Sequence, residues 1–146
     1  MINIKQISPA ETFAVRQPVL RPGKPIEACI FEGDNLPTTI HLGIHADDIL
    51  AGVISIFESS HTHFPKKKQH QLRGMAVLEA YQKKGLGEQL VQAAENLILE
   101  KQSDLIWFNA REIAVGFYTR MGYEIKGNPF PITDIGLHYV MFKKLR

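Results

Sequence analysis

The sequence predicts one α+β domain over residues 1–146, with a mixed, mostly antiparallel sheet of six to seven strands and about four flanking helices. Three observations predict it. The β-rich segments Thr38 to Ile44, Ile49 to Phe57 and Gln71 to Val77 follow one another across polar, turn-forming connectors, as in an antiparallel meander. Gly85 to Leu99 carries apolar residues at helical spacing. Leu105 to Asn109 is a short apolar run, the mark of a strand covered on both faces.

Composition bounds the function before any motif is read. At 146 residues, 45% hydrophobic and 22% charged, the chain is the size of one ordinary globular domain. A net charge of +2 is too small to argue for nucleic acid, and none is expected as a partner. One cysteine, Cys29, allows no intrachain disulfide and fits a reducing compartment. No apolar run approaches the length of a membrane span, and no leader pattern opens the chain. A cytoplasmic protein without a membrane partner is expected.

The elements follow in order. Asn3 to Ile7 is a short edge strand. Ser8 is a good N-cap and Pro9 fits a first helical position, so a helix is expected from Pro9 to Arg16, with Phe13 towards the core. Arg21-Pro22-Gly23-Lys24-Pro25 breaks any continuation, and residues 17–38 read as an irregular wall or lid. Ala46-Asp47-Asp48 turns the first hairpin, and Gly52 marks a bulge or a close backbone approach. Residues 58–68 form a polar hairpin loop. In the helix at 85–101, Leu86, Leu90, Ala94, Leu97 and Ile98 face the core, with Glu88, Gln92, Glu95 and Lys101 opposite. A further helix is expected from Arg111 to Met121, with Ile113, Ala114, Phe117, Tyr118 and Met121 on one face and Gly122 as its C-terminal cap. Tyr123 to Lys126 is a strand, Asn128-Pro129-Phe130-Pro131 a loop, and Leu137 to Leu145 a closing strand.

The chemistry concentrates at one junction. Gln82-Lys83-Lys84-Gly85-Leu86-Gly87 stands between a strand and the best-supported helix. The first amides of a helix lack internal partners, and the helix dipole leaves that end partly positive. Glycines let an anion approach the backbone, so the junction suits a phosphate or pyrophosphate. A solvated basic turn is the other reading.

Two motifs sit on this order of elements: Gln82-x-x-Gly85-x-Gly87 after the fourth strand, and Gly116-Phe117-Tyr118-Thr119-Arg120-Met121-Gly122-Tyr123 after the fifth. They resemble the pyrophosphate-binding Q/R-x-x-G-x-G/A and the F-Y-x-x-x-G-F/Y of the GNAT superfamily of acyl-CoA-dependent N-acetyltransferases. The resemblance covers residues 40–146 well, and the first 40 by order of elements alone. The segments LRGMAV, NAREIAVGFY and GLHYVMFKKL also resemble a subgroup of small bacterial GNAT proteins that includes the ElaA-like ones.

The resemblance implies acetyl-CoA as acyl-donor co-substrate, no metal, and an amine acceptor, small molecule or peptide. It implies that the backbone from Lys84 to Glu88 (Lys84, Gly85, Leu86, Gly87, Glu88) wraps the pyrophosphate, with Gln82 and Lys83 beside it. Met75, Ala76 and Val77 would offer backbone amides to the pantetheine and thioester carbonyl. Phe117, Tyr118 and Asn109 would also meet the cofactor, with Tyr118 as general acid towards the thiolate. For Tyr118 the alternative is a core residue bonded to a carbonyl. For Asn109 it is a capping box with Glu112. Some members carry a glutamate on strand four where this chain has Gln71, which cannot accept a proton. His138 is then the candidate base, against a structural role. By strand alternation Arg73 faces the same way as Gln71, and with His138 these are the expected substrate contacts. Arg73 would hold an acidic acceptor or a structural ion pair.

His61-x-His63 has no third ligand at suitable spacing, and Lys66-Lys67-Lys68 reads as a solvated strand end. GNAT folds commonly dimerise, so a homodimer is open. The competing reading is an acyl-CoA-binding module without catalysis. An ATP- or NAD-binding domain is disfavoured, because neither GxxxxGK nor a full GxGxxG is present.

Overall fold

A computed structural model describes residues 1–145. Its seven strands run in the order β1-β2-β3-β4-β5-β7-β6. They are β1 (Ile2–Ile7), β2 (Ile40–Ala46), β3 (Ile49–Glu58), β4 (Gln69–Val77), β5 (Leu105–Arg111), β6 (Glu124–Ile132) and β7 (Gly136–Lys144). The helices are α1 (Phe13–Leu20), α2 (Leu86–Glu100) and α3 (Val115–Arg120). The expected mixed α+β sheet is present. The fourth helix is not: among the described residues there are three α-helices, and the other helical pieces are single 3₁₀ turns.

The chain divides into two compact units, Met1–Glu58 with Leu72–Leu97, and Ser59–Gln71 with Ile98 onward. In the first, Ile7, Val15, Val53 and Ala76 form a buried cluster. Asp47 and Asp48 both have positive φ, 49° and 71°, as the two-residue turn joining Ala46 to Ile49 requires. The register shifts between Ile44 and His45, opposite Leu50 and Gly52. A Cβ on Gly52 would lie 3.0 Å from Ile44 Cγ2 and 3.1 Å from the Ala76 carbonyl oxygen, so close approach holds that glycine. Leu90, Val91 and Ala94 of α2 are wholly buried. Glu95, expected on the solvent face, is buried as well.

The start of α1 differs from expectation. Ser8 does cap: its Oγ accepts from the Glu11 amide at 3.3 Å, and Glu11 Oε1 accepts from the Ser8 amide at 2.9 Å. The first turn is 3₁₀, however, and the α-helix proper begins at Phe13 and runs through Pro18 to Leu20. Val15 and Arg16 are buried and Phe13 only half so.

In the second unit, β4 pairs parallel with β5 from Gln69↔Leu105 to Gln71↔Trp107, and β5 pairs antiparallel with β7 along its whole length. Phe64, Leu105, Trp107 and Val140 form the buried cluster there. The polar loop at 58–68 is tied down: Trp107 Nε1 donates to the Ser59 carbonyl at 2.9 Å, and Gln69 Nε2 donates to the Phe64 and Lys66 carbonyls at 3.1 Å each. Two expectations fail here. The helix expected from Arg111 is a 3₁₀ turn over Glu112–Ala114 followed by the short α3, and Ile113 is 92% exposed rather than core-facing. Asn128 to Pro131 is not a loop but lies within β6. β6 ends the strand order, and its register shifts between Lys126 and Phe130, which are the settings, sheet edge and bulge, where a strand tolerates proline.

Candidate active site

The strand-to-helix junction takes its shape from two left-handed residues. Lys83 has φ 63° and Gly85 φ 79°, a conformation that glycine adopts without strain and lysine does not. Gly85 caps α2, its carbonyl accepting from the Gln89 amide at 3.1 Å. A Cβ at Gly85 would meet nothing within 4 Å, so open space lies against the backbone there. Lys83, Lys84, Gly85 and Glu88 are exposed, Gly87 is half-buried, and Leu86 is the buried anchor. Gln82 points back instead: its Nε2 donates to the Val77 carbonyl at 2.9 Å and closes the connector onto the end of β4. Lys84 Nζ lies 5.6 Å over the Tyr81 ring.

Met75, Ala76 and Val77 follow an irregularity in β4. Gly74 has φ +65°, and a Cβ there would stand 2.9 Å from the Phe31 ring and 3.3 Å from Arg16 Nε. The strand is thus bent ahead of the three residues. Ala76 is in the core, while Met75 and Val77 are half-buried, so neither serves as a full core side chain.

Arg73 is half-buried, with its guanidinium 4.8 Å from the Phe31 ring centroid and 5.5 Å from that of Phe57. Burial first, and then the charge of Arg16, lower its pKa from the usual arginine value. A buried ion pair in this unit belongs to Arg16 instead. Arg16 is wholly buried and grips Asp34 at 2.7 and 3.1 Å, the Cys29 carbonyl at 2.8 Å and Ser55 Oγ at 2.9 Å. Burial pushes the Asp34 carboxyl up, but hydrogen bonds from Arg16 and the Phe31 amide outweigh it and leave the pKa lowered. His41 completes the network, with Nδ1 2.6 Å from Ser55 Oγ and Nε2 2.9 Å from the Asp34 carbonyl. Sequence reading missed this network. Its partners are spread over an irregular segment and two strands, with no spacing that would signal them.

In the second unit Tyr118 is held by aromatic rings, with centroids at 4.3 Å (Phe108), 5.0 Å (Phe117) and 6.1 Å (Tyr123). Its hydroxyl makes no hydrogen bond to a described residue, so the carbonyl-bonded alternative does not hold. Burial pushes its pKa up to about 12. Gly122, φ +95°, caps α3: its amide reaches the Thr119 carbonyl at 3.0 Å and that of Tyr123 the Tyr118 carbonyl at 3.1 Å. Asn109 is an exposed residue within β5, opposite Val140, and the capping box with Glu112 is absent. His138 is 5% exposed and pairs with Arg111 on β5 and Phe130 on β6. Its Nδ1 lies 2.9 Å from the Gly136 carbonyl, which can only accept, so Nδ1 is the donor of that bond. Gln71 is half-buried opposite Trp107.

Cys29, the one thiol, is wholly buried, and that burial raises its pKa. The His61 and His63 rings stand 4.6 Å apart, and among the described residues no group of three or more His, Cys, Asp or Glu gathers as a metal site would. Among the described residues no helix is long and apolar enough to cross a membrane.

Residues 37–125 match the family model of the acetyltransferase (GNAT) domain. The chain is 36% identical to the uncharacterised N-acetyltransferase YitI of Bacillus subtilis strain 168, over 100% of its own length and 98% of that protein. Its fold is similar to that of Escherichia coli ElaA, with a TM-score of 0.77 at 16% identity, covering 98% of this chain and 99% of that one. It is similar also to an aminoglycoside 6'-N-acetyltransferase complexed with coenzyme A, with a TM-score of 0.74 at 16% identity over 97% and 96% of the two chains. With its glycine junction before α2, its Phe117-Tyr118 pair on α3 and a family match over more than half its length, this chain belongs to the GNAT acetyltransferase family.

Proposed function

We propose that the protein is an N-acetyltransferase that moves the acetyl group of acetyl-CoA to a primary amine by direct attack in a ternary complex. The observation that carries this is the left-handed turn through Lys83 and Gly85 at the N-terminus of α2. Open space lies beside Gly85, Lys83 and Lys84 are exposed next to it, and the first amides of a helix lack internal partners, which together suit a pyrophosphate. The coenzyme A complex of the aminoglycoside-acetylating relative supports that ligand.

When bound, acetyl-CoA supplies an activated acyl group on a thiolate leaving group. The residues of this chain do the rest. The amides of Met75, Ala76 and Val77, after the bend at Gly74, bind the pantetheine and the thioester oxygen. Preorganised amides of this kind lower such a barrier by a few kcal/mol. Phe117 and Asn109 contact the same ligand. His138 Nε2 accepts the amine proton, and Gln71, Arg73 and His138 hold the acceptor. Tyr118 donates to the departing sulfur. With a pKa pushed up to about 12 it stays protonated throughout the working range. Full transfer to an ordinary thiolate, of pKa about 8.5, would be uphill by roughly 5 kcal/mol. A hydrogen bond to a thiolate desolvated to the same degree removes much of that difference.

Direct attack is favoured over an acyl-enzyme by the state of Cys29, whose buried thiol is not available to carry the acetyl group. Initial rates over a grid of both substrates test this. Intersecting double-reciprocal lines are expected, and parallel lines would contradict direct attack.

A further inference from the structure

Three guanidinium groups converge on one aromatic ring. The Cζ atoms of Arg16, Arg73 and Arg21 stand 3.9, 4.8 and 5.4 Å from the centroid of Phe31. The one buried carboxylate among them, Asp34, is taken by Arg16 in a two-point grip. Arg21 spends Nη1 on the Leu20 carbonyl at 2.9 Å. Arg73 makes no hydrogen bond or ion pair to a described residue, and Glu32 nearby acts on it through its field without pairing. A guanidinium offers five donors in a planar fork, and half-burying it unpaired is costly. Arg73 and Arg21 therefore form a cationic site short of one anion, with Phe31 and Phe57 as its apolar walls.

Its position gives the missing anion a place in the reaction. Arg73 precedes Met75 by two residues on β4, so their Cα atoms are at most about 7 Å apart. A group held by Arg73 lies within one small molecule's length of Met75, the proposed thioester end.

We infer that the acceptor amine carries its own carboxylate, and that Arg73, supported by Arg21, receives it, making the acceptors amino-acid-like rather than polyamine- or aminoglycoside-like. The inference rests on the acetyltransferase reading above. It also accounts for Arg73 making aromatic contacts alone: the guanidinium is preorganised between two rings and waits for a planar anion.

The test uses matched pairs: phenylalanine, leucine and lysine, each against its primary carboxamide. Both kcat/KM for acetylation and affinity by calorimetry, with coenzyme A present, are measured on the wild-type protein, Arg73→Met and Arg73→Lys. Taking the ratio within each pair, and comparing it between proteins, cancels the different basicity of acid and amide. The wild type should prefer the carboxylate member by about 10- to 100-fold, the range of a charge-assisted hydrogen bond. Arg73→Met should lose the preference while acetyl-CoA affinity and melting temperature hold. Arg73→Lys should restore part of it, having charge without the fork. Equal handling of the pair by the wild type, or a preference that survives Arg73→Met, overturns the inference. If no amine turns over, the acetyltransferase reading fails, and the calorimetric ratio still decides the anion site in the same way.

Discussion

In the proposed mechanism, delivery of a proton to the leaving sulfur depends on Tyr118. Tyr118→Phe keeps the rings around it packed and removes only the hydroxyl, so kcat should fall by about 10²-fold or more, as for other lost general acids, with acetyl-CoA affinity near wild type. A fully active variant would remove Tyr118 from the mechanism. Asp34 makes a different kind of prediction. It is the partner of a wholly buried arginine, and Asp34→Asn leaves that charge without its counterion, a loss of about 3–5 kcal/mol read by denaturant unfolding. Because its folded pKa is lowered, its contribution is complete above the unfolded carboxyl value near 4 and is lost as pH falls through the folded one. The wild type should therefore lose stability on acidification in a step that Asp34→Asn lacks. The two residues also mark what a sequence discloses. The Tyr118 motif was legible because it is local, seven residues from Phe117 to Tyr123 with a glycine stop at Gly122. The Arg16–Asp34 pair was not, since its partners stand 18 residues apart in a stretch without periodicity. Arg73 was legible as a strand-four side chain, but its ring partner Phe31 lies in that same irregular stretch.

Among the elements, α2 with its entry turn carries the cofactor assignment. Its apolar stripe was readable because Leu86, Leu90, Ala94 and Ile98 recur at helical spacing and are buried as that spacing requires. Gly87 sits in the first turn, half-buried. Gly87→Asp sets a carboxylate where the backbone is proposed to meet phosphate, and should weaken acetyl-CoA binding at least 10-fold in calorimetry while barely moving the melting temperature. Unchanged affinity would sink the pyrophosphate assignment. The elements misread are those in which local chemistry yields to tertiary context. Pro129 and Pro131 read as loop, yet an edge strand with a register shift accommodates both. Ile113 matched a helical stripe, yet its turn is 3₁₀ and turns it outward. The first helix is expected to stop at Arg16, yet α1 runs on through Pro18 to Leu20 and is capped at Arg21, ahead of Pro22-Gly23.

At the scale of the whole molecule, the family was legible because it rests on two short motifs and an order of strands, and the fold keeps both. The acceptor was not legible: its expected contacts come from single side chains on segments whose conformation no local pattern dictates. A net charge of +2 gives no long-range preference for one kind of acceptor, so the choice is proposed to fall to a local group, Arg73. The central claim is transfer rather than binding. It is tested most directly by following free thiol released from acetyl-CoA by the wild-type protein, with and without an amine panel that includes the amino acids. Thiol release that depends on an amine, and that Tyr118→Phe suppresses, is the predicted result. Tight acetyl-CoA binding with no amine-dependent thiol release would contradict it, and would make the protein an acyl-CoA-binding module.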